Sequence, residues 1–224
     1  MATPQSKIQK RLHTVAEYLE FERQAEDRHA FVDGEIRAMA GESPWHSIIR
    51  VNLTREVSAQ LKGKPCIALS SNMKTCSGEQ VDPGSLKGLF SYADLTVVCG
   101  KPVFHDKFGD VLLNPRVIFE VLSPSTESFD RGEKFERYRI YNESLTDYVL
   151  VSQKKPLIEH FQRQPNGQWL MTEVRGMEGE LHIASIDCHL KLAEVYDRVE
   201  FPSEKPAEES GEEPDEEPGE ESGQ

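Results

Sequence analysis

Long apolar runs are missing from these 224 residues. No stretch approaches the ~20 apolar residues of a bilayer-spanning helix, and Met1 to Lys10 lacks the apolar core of a signal peptide. A soluble, cytoplasmic protein with no membrane partner is expected. Cysteine is scarce: the four, at 66, 76, 99 and 188, form no Cys-x-x-Cys pair and have no close His-x-His partner. That argues against a structural zinc cage or a disulfide scaffold and makes a reducing compartment the default. No Gly-x-Gly-x-x-Gly or phosphate-loop motif occurs, so nucleotide cofactors have no support. Ser123 and Ser125 lie in Ser-Pro-Ser-Thr, which suits a turn before a helix and lacks the Gly-x-Ser-x-Gly elbow of a serine hydrolase.

A basic excess is also missing. The formal net charge is −13, but residues 202–224 hold ten acids against Lys205 alone, a net of −9, which leaves only −4 for residues 1–201. The acidity therefore belongs mostly to the end of the chain. That segment repeats Glu-Glu-Pro and has no apolar residue beyond Ala207, so it is expected to be disordered. The length suits one domain, expected over 14–201 after a flexible segment 1–13.

Local signals order the rest. Thr14 and Glu17 form a capping box opening a helix from Val15 to about Gln24. Asp33-Gly34 between Phe31-Val32 and Glu35-Ile36 reads as a tight hairpin. Ser43-Pro44 supplies an N-cap and first-turn proline, and Ile49, Leu53, Val57 and Leu61 form a core-facing stripe ended by Gly63. Short runs at 66–69, 92–98 and 116–122 read as central strands. A helix is expected from Arg131 to Tyr141, with Asp130 and Glu133 in a capping-box relation. Strands at 148–152, 158–163 and 169–174 follow. Helices and strands mixed in this order imply an α/β sandwich around one mixed sheet.

Glu120 is the most informative residue, one carboxylate inside the otherwise apolar Val117–Leu122. An unpaired charge is costly to bury, so Glu120 either turns to solvent, pairs with a cation such as Arg116, or serves a site. Asp94 heads another apolar strand, and two carboxylates on neighbouring strands suit a hard divalent cation, Mg²⁺ or Mn²⁺. Cleaving a phosphodiester also requires a cation near the phosphate. Lys134 is the candidate, because the helix after the Glu120 strand could swing it back over the carboxylates; Lys74 competes. His46, at the start of a capped helix, reads as a packing or capping residue before a general base.

Seven segments then carry a resemblance: Asp33–Glu35, Ser43-Pro44-x-His46, Ser71–Lys74, Ala93–Val98, Glu120–Thr126, Asp130–Lys134 and Asp147–Val151. Their order resembles the signature of the Uma-two family, grouped with restriction endonucleases in the PD-(D/E)XK superfamily. The resemblance implies a restriction-endonuclease-like α/β/α core, a mixed β-sheet flanked by helices. It also implies a Mg²⁺- or Mn²⁺-dependent endonuclease acting on DNA. Asp94 stands for the first metal-binding acid, Glu120 for the second, and Glu35 for an additional acid. The superfamily's lysine falls two residues after the second acid, where this chain has Leu122, so the role passes to Lys134; Ala93 replaces the motif's proline.

Arg131, Lys134, Arg137 and Arg139, with Lys62, Lys64, Lys74 and Lys87, could form a basic strip or be scattered solubilising charge. Two other classes remain open: an inactive nuclease-fold interaction module, and a sugar hydrolase using Asp94 and Glu120. A homodimer is also open.

Overall fold

The computed structural model describes residues 11–78 and 82–201. The expected N-terminal segment is thus described only from Arg11, and the acidic tail lies outside the described residues.

Helix α1 (Val15–Glu22) begins at Thr14, whose hydroxyl accepts the Glu17 N–H at 3.2 Å while Glu17 Oε2 accepts the Thr14 N–H at 2.8 Å. Strands β1 (His29–Val32) and β2 (Glu35–Ala38) are joined by Asp33 and Gly34, both at positive φ, 46° and 89°. That conformation matches the strand twist and is why Asp-Gly sits there. Helix α2 (Pro44–Leu61) is capped by Ser43, and Ile49, Leu53, Val57 and Leu61 are all buried.

The remaining elements are β3 (Cys66–Leu69), β4 (Lys74–Ser77), β5 (Leu89–Tyr92), β6 (Leu95–Cys99), β7 (Val111–Leu112), β8 (Val117–Leu122), α3 (Glu127–Phe129), α4 (Phe135–Tyr141), β9 (Asp147–Ser152), β10 (Leu157–Arg163), β11 (Trp169–Arg175), β12 (Glu180–Ile183), β13 (Cys188–Lys191) and α5 (Leu192–Val195). They build a mixed α+β fold of mixed sheets flanked by helices. A five-stranded sheet runs β2-β1-β5-β4-β7, a six-stranded sheet runs β11-β10-β9-β8-β6-β3, and β12 with β13 forms a separate hairpin. β4 pairs with β7, and β8 with β9, in parallel; the other pairings are antiparallel.

Two large sheets replace the single one expected. The run 92–98 is not one strand: Tyr92 ends β5 in one sheet, Leu95 starts β6 in the other, and Ala93-Asp94 makes the crossing. A second correction concerns the expected helix at 131–141. Asp130 is no N-cap and Glu133 closes no capping box; the chain enters earlier through α3, and Asp130–Lys134 forms a wide turn kinked at Gly132 before α4. The third is a disulfide, Cys66–Cys99, between facing residues of β3 and β6. Cys76 and Cys188 are free and buried.

Side-chain alternation on β8 organises the core. Val117, Phe119 and Val121 pack with the α2 stripe and the β12–β13 hairpin. Ile118 and Leu122 pack on the other face with Tyr138, Tyr148 and Phe135. Glu120 shares that second face.

Candidate active site

The β6–β8 ladder ends at Leu95 opposite Phe119. One further step of the same antiparallel register sets Asp94 against Glu120, so the sheet itself brings the two carboxylates together. At this end Asp94 Oδ2 accepts the Val121 N–H at 2.7 Å, a side chain completing the ladder where the backbone turns away. His46 Nε2 lies 3.3 Å from the same oxygen, so both contacts fall on Oδ2.

Glu120 is 3% exposed and Lys134 4%. The wide turn carries Lys134 inward, placing Nζ 2.7 Å from Glu120 Oε1, 3.1 Å from Asp130 Oδ1 and 3.3 Å from the Tyr92 carbonyl. The Lys134 ammonium approaches Glu120 Oε1 as a close ion pair rather than along the ideal hydrogen-bond direction. Burial raises the Glu120 pKa well above the ordinary value, with Lys134 opposing and Asp130 and Asp94 adding to the rise. At Lys134 burial works to lower the pKa, but Asp130 and then Glu120 outweigh it, and the net shift is upward. The ammonium is thus firmly charged, whereas the carboxylate is short of positive partners.

These groups line a cleft of about 350 Å³ between the two sheets, together with Tyr92, His46, Glu42 and the cations Arg28, Arg37 and Arg50. Glu42 and His46 form an i, i+4 pair, Oε2 to Nδ1 at 3.0 Å; Glu42 Oε1 meets Arg50 at 2.7 Å, and Arg50 reaches Ser71 Oγ at 2.6 Å. Burial works against a charged His46, yet Asp94 and Glu42 hold its pKa above the ordinary value.

The other sequence candidates fall elsewhere. Glu35, on β2, contacts Arg37 at 3.1 Å and is not among the residues lining this cleft. Lys74 is buried behind Tyr92, its Nζ 3.0 Å from Asp110 and 3.4 Å from the Tyr92 hydroxyl, inside a network that includes Glu22 and Arg23. The charges of the helix strip are largely matched: Arg131 by Glu127 and Glu159, Arg137 by Asp33 and Glu133, Lys64 by Asp187. Of that strip Lys134 faces the cleft, where it is joined by Arg28, Arg37 (paired with Glu35) and Arg50 (paired with Glu42), which sequence reasoning missed. Glu42 was missed too, though its place four residues before His46 was a signal.

Two acids separated by 26 positions thus meet beside a buried lysine at the end of a mixed sheet. The chain belongs to the Uma2 family, whose family model, described as "Putative restriction endonuclease", matches residues 15–193. The "Uncharacterized protein sll1609" of Synechocystis sp. is 33% identical over 171 residues, covering 76% of this chain and 92% of that protein. From the same organism, the "Uncharacterized protein slr1290" is 31% identical over 185 residues, covering 83% and 92%. The fold is similar to the crystal structure of "a putative nuclease belonging to DUF820" from Anabaena variabilis, with a TM-score of 0.65 at 14% identity over 82% of this chain and 97% of that one.

Proposed function

We propose that the cleft hydrolyses phosphodiester bonds of DNA with one or two Mg²⁺ or Mn²⁺ ions held by Asp94 and Glu120. The observation that carries this reading is the buried Glu120, beside Asp94 at the sheet end, whose charge Lys134 compensates only in part. Hard cations take oxygen ligands, and Mg²⁺ is bound through one or two carboxylates while keeping several waters, so the donor set suits it. When bound, the ion supplies Lewis acidity and a water of lowered pKa.

The chain's own residues do the rest. Asp94 is oriented by the Val121 N–H and by His46, which is held in turn by Glu42. Lys134 is a fixed positive charge beside the reacting phosphate, stabilising charge as it develops. Arg28, Arg37 and Arg50 line the approach, where flanking phosphates would meet cations although the chain as a whole is acidic.

Calorimetric titration with Mg²⁺ and Mn²⁺, beside cleavage of supercoiled plasmid and single-stranded DNA, tests the proposal. The parent should bind metal and cut; Glu120→Gln should stay folded, lose metal affinity and cut at least ~10²-fold more slowly. A parent that binds neither ion, or a variant that cuts as fast as the parent, would return the domain to the class of interaction modules.

A further inference from the structure

The hairpin of β12 and β13 lies on the α2 side of the six-stranded sheet, opposite the face that carries Glu120. Leu181, Ile183, Cys188 and Leu190 enter the core there, so alternation turns Glu180, His182, His189 and Lys191 outward. His182 and His189 face each other across the strands, rings 4.1 Å apart and nearly parallel. The turn that follows β12 ends at Asp187, whose φ of 48° is one that aspartate tolerates. Its Oδ1 lies 3.8 Å from His182 Nε2.

Three features turn this pair of histidines into a donor set. Among the described residues, His182, Asp187 and His189 form the one group of three whose ligand atoms all lie within 4.8 Å of one another. Glu180 Oε1 stands 3.0 Å from Nδ1 of His189, which fixes the ring and leaves Nε2 for a metal, as carboxylate–histidine–metal arrangements do. Lys64 Nζ binds Asp187 Oδ2 at 3.0 Å and both the Ile186 and Asp187 carbonyls, anchoring the turn and leaving Oδ1 as the donor. The ammonium also limits affinity, because it brings a second positive charge near the ion.

We infer that this hairpin binds one divalent transition-metal ion of the zinc type, through His182, His189 and Asp187, with the fourth tetrahedral position open to water. Two imidazoles and one carboxylate suit Zn²⁺, whereas Mg²⁺ takes oxygen donors. The site is separate in place and in ligand chemistry from the Asp94–Glu120 cleft.

The test uses the full chain, stripped with EDTA, desalted, and titrated calorimetrically with zinc sulfate in excess Mg²⁺. One zinc per chain is expected. His182→Ala and His189→Ala, both at exposed positions, should each weaken it at least ~10-fold with unchanged circular dichroism, and Glu180→Gln should weaken it ~10-fold. Glu120→Gln should leave the zinc isotherm as it is, which separates this site from the proposed nuclease centre. No zinc binding by the parent, or binding that survives the His182→Ala/His189→Ala double substitution, would overturn the assignment.

Discussion

Glu120 and Lys134 share one buried contact but not one burden. Lys134 has two carboxylates within 3.1 Å, while Glu120 shares that single ammonium with Asp130. The raised Glu120 pKa has a defined consequence for stability. A carboxyl whose folded pKa exceeds the unfolded value of ~4.3 contributes most below that value, and the contribution fades as pH rises through the folded pKa. Urea unfolding across pH should therefore show Glu120→Gln gaining on the parent as pH rises above ~4.3; parallel curves would contradict the shift. The two buried lysines are separable by rate. Lys134→Met should slow DNA cleavage by at least ~10²-fold. Lys74→Met should do much less to the rate, because Lys74 meets Asp110 and the Tyr92 hydroxyl rather than the cleft. If Lys74→Met proves the more damaging change, the cation's role belongs to Lys74.

At the scale of elements, Asp147 ties three together. Its carboxylate, at the start of β9, meets His160 Nε2 of β10 at 2.7 Å, the Thr146 hydroxyl at 2.6 Å, and the hydroxyl of Ser185 in the turn between β12 and β13. Burial alone would raise the Asp147 pKa, yet His160, Ser185 and Thr146 outweigh it and the net shift is downward. Stability from such a group is present above the unfolded pKa of ~3.9 and is lost as pH falls through the folded value. Asp147→Ala, which leaves His160 and Ser185 without their acceptor, should cost about 1–3 kcal/mol at pH 7 by denaturant unfolding. The difference from the parent should shrink below pH ~4; a cost that stays constant into acid would show that the charge is not what matters.

For the molecule as a whole, charge is divided unequally between the domain and the end of the chain. Residues 202–224 carry −9, and the residues before them only −4. The cleft that would receive a polyanion is lined by Arg28, Arg37 and Arg50. A tethered acidic segment competes with DNA for such cations, and salt screens the competition. Deleting 202–224 should leave thermal stability nearly unchanged and tighten DNA binding, more at low than at high ionic strength. Equal dissociation constants for the two forms at low salt would reduce the segment to a solubilising role.

Where the governing interaction is local, the amino-acid sequence alone determined most of the outcome, the capping box expected at Asp130 and Glu133 being the exception. The Thr14–Glu17 box, the Asp33-Gly34 turn, the Ser43 cap and the α2 stripe depend on neighbours within four residues, and each stands where it was expected. Glu120 was legible for a related reason, since a lone charge in an apolar run must be accounted for wherever the strand lies. Tertiary structure alone decided what depends on register between distant strands. It broke the run 92–98 between two sheets, because a strand can pair in only one, and so left the Asp94 side chain to take the Val121 N–H. It bridged Cys66 to Cys99, which no spacing announces but facing positions on β3 and β6 permit. It supplied the turn, wider than a regular helix, by which Lys134, already a candidate from its place after the Glu120 strand, reaches Glu120, and it stacked His182 on His189 across a hairpin with no long apolar run to signal it. Each of these contacts joins residues whose meeting depends on how distant or kinked segments pack, and no local preference encodes that.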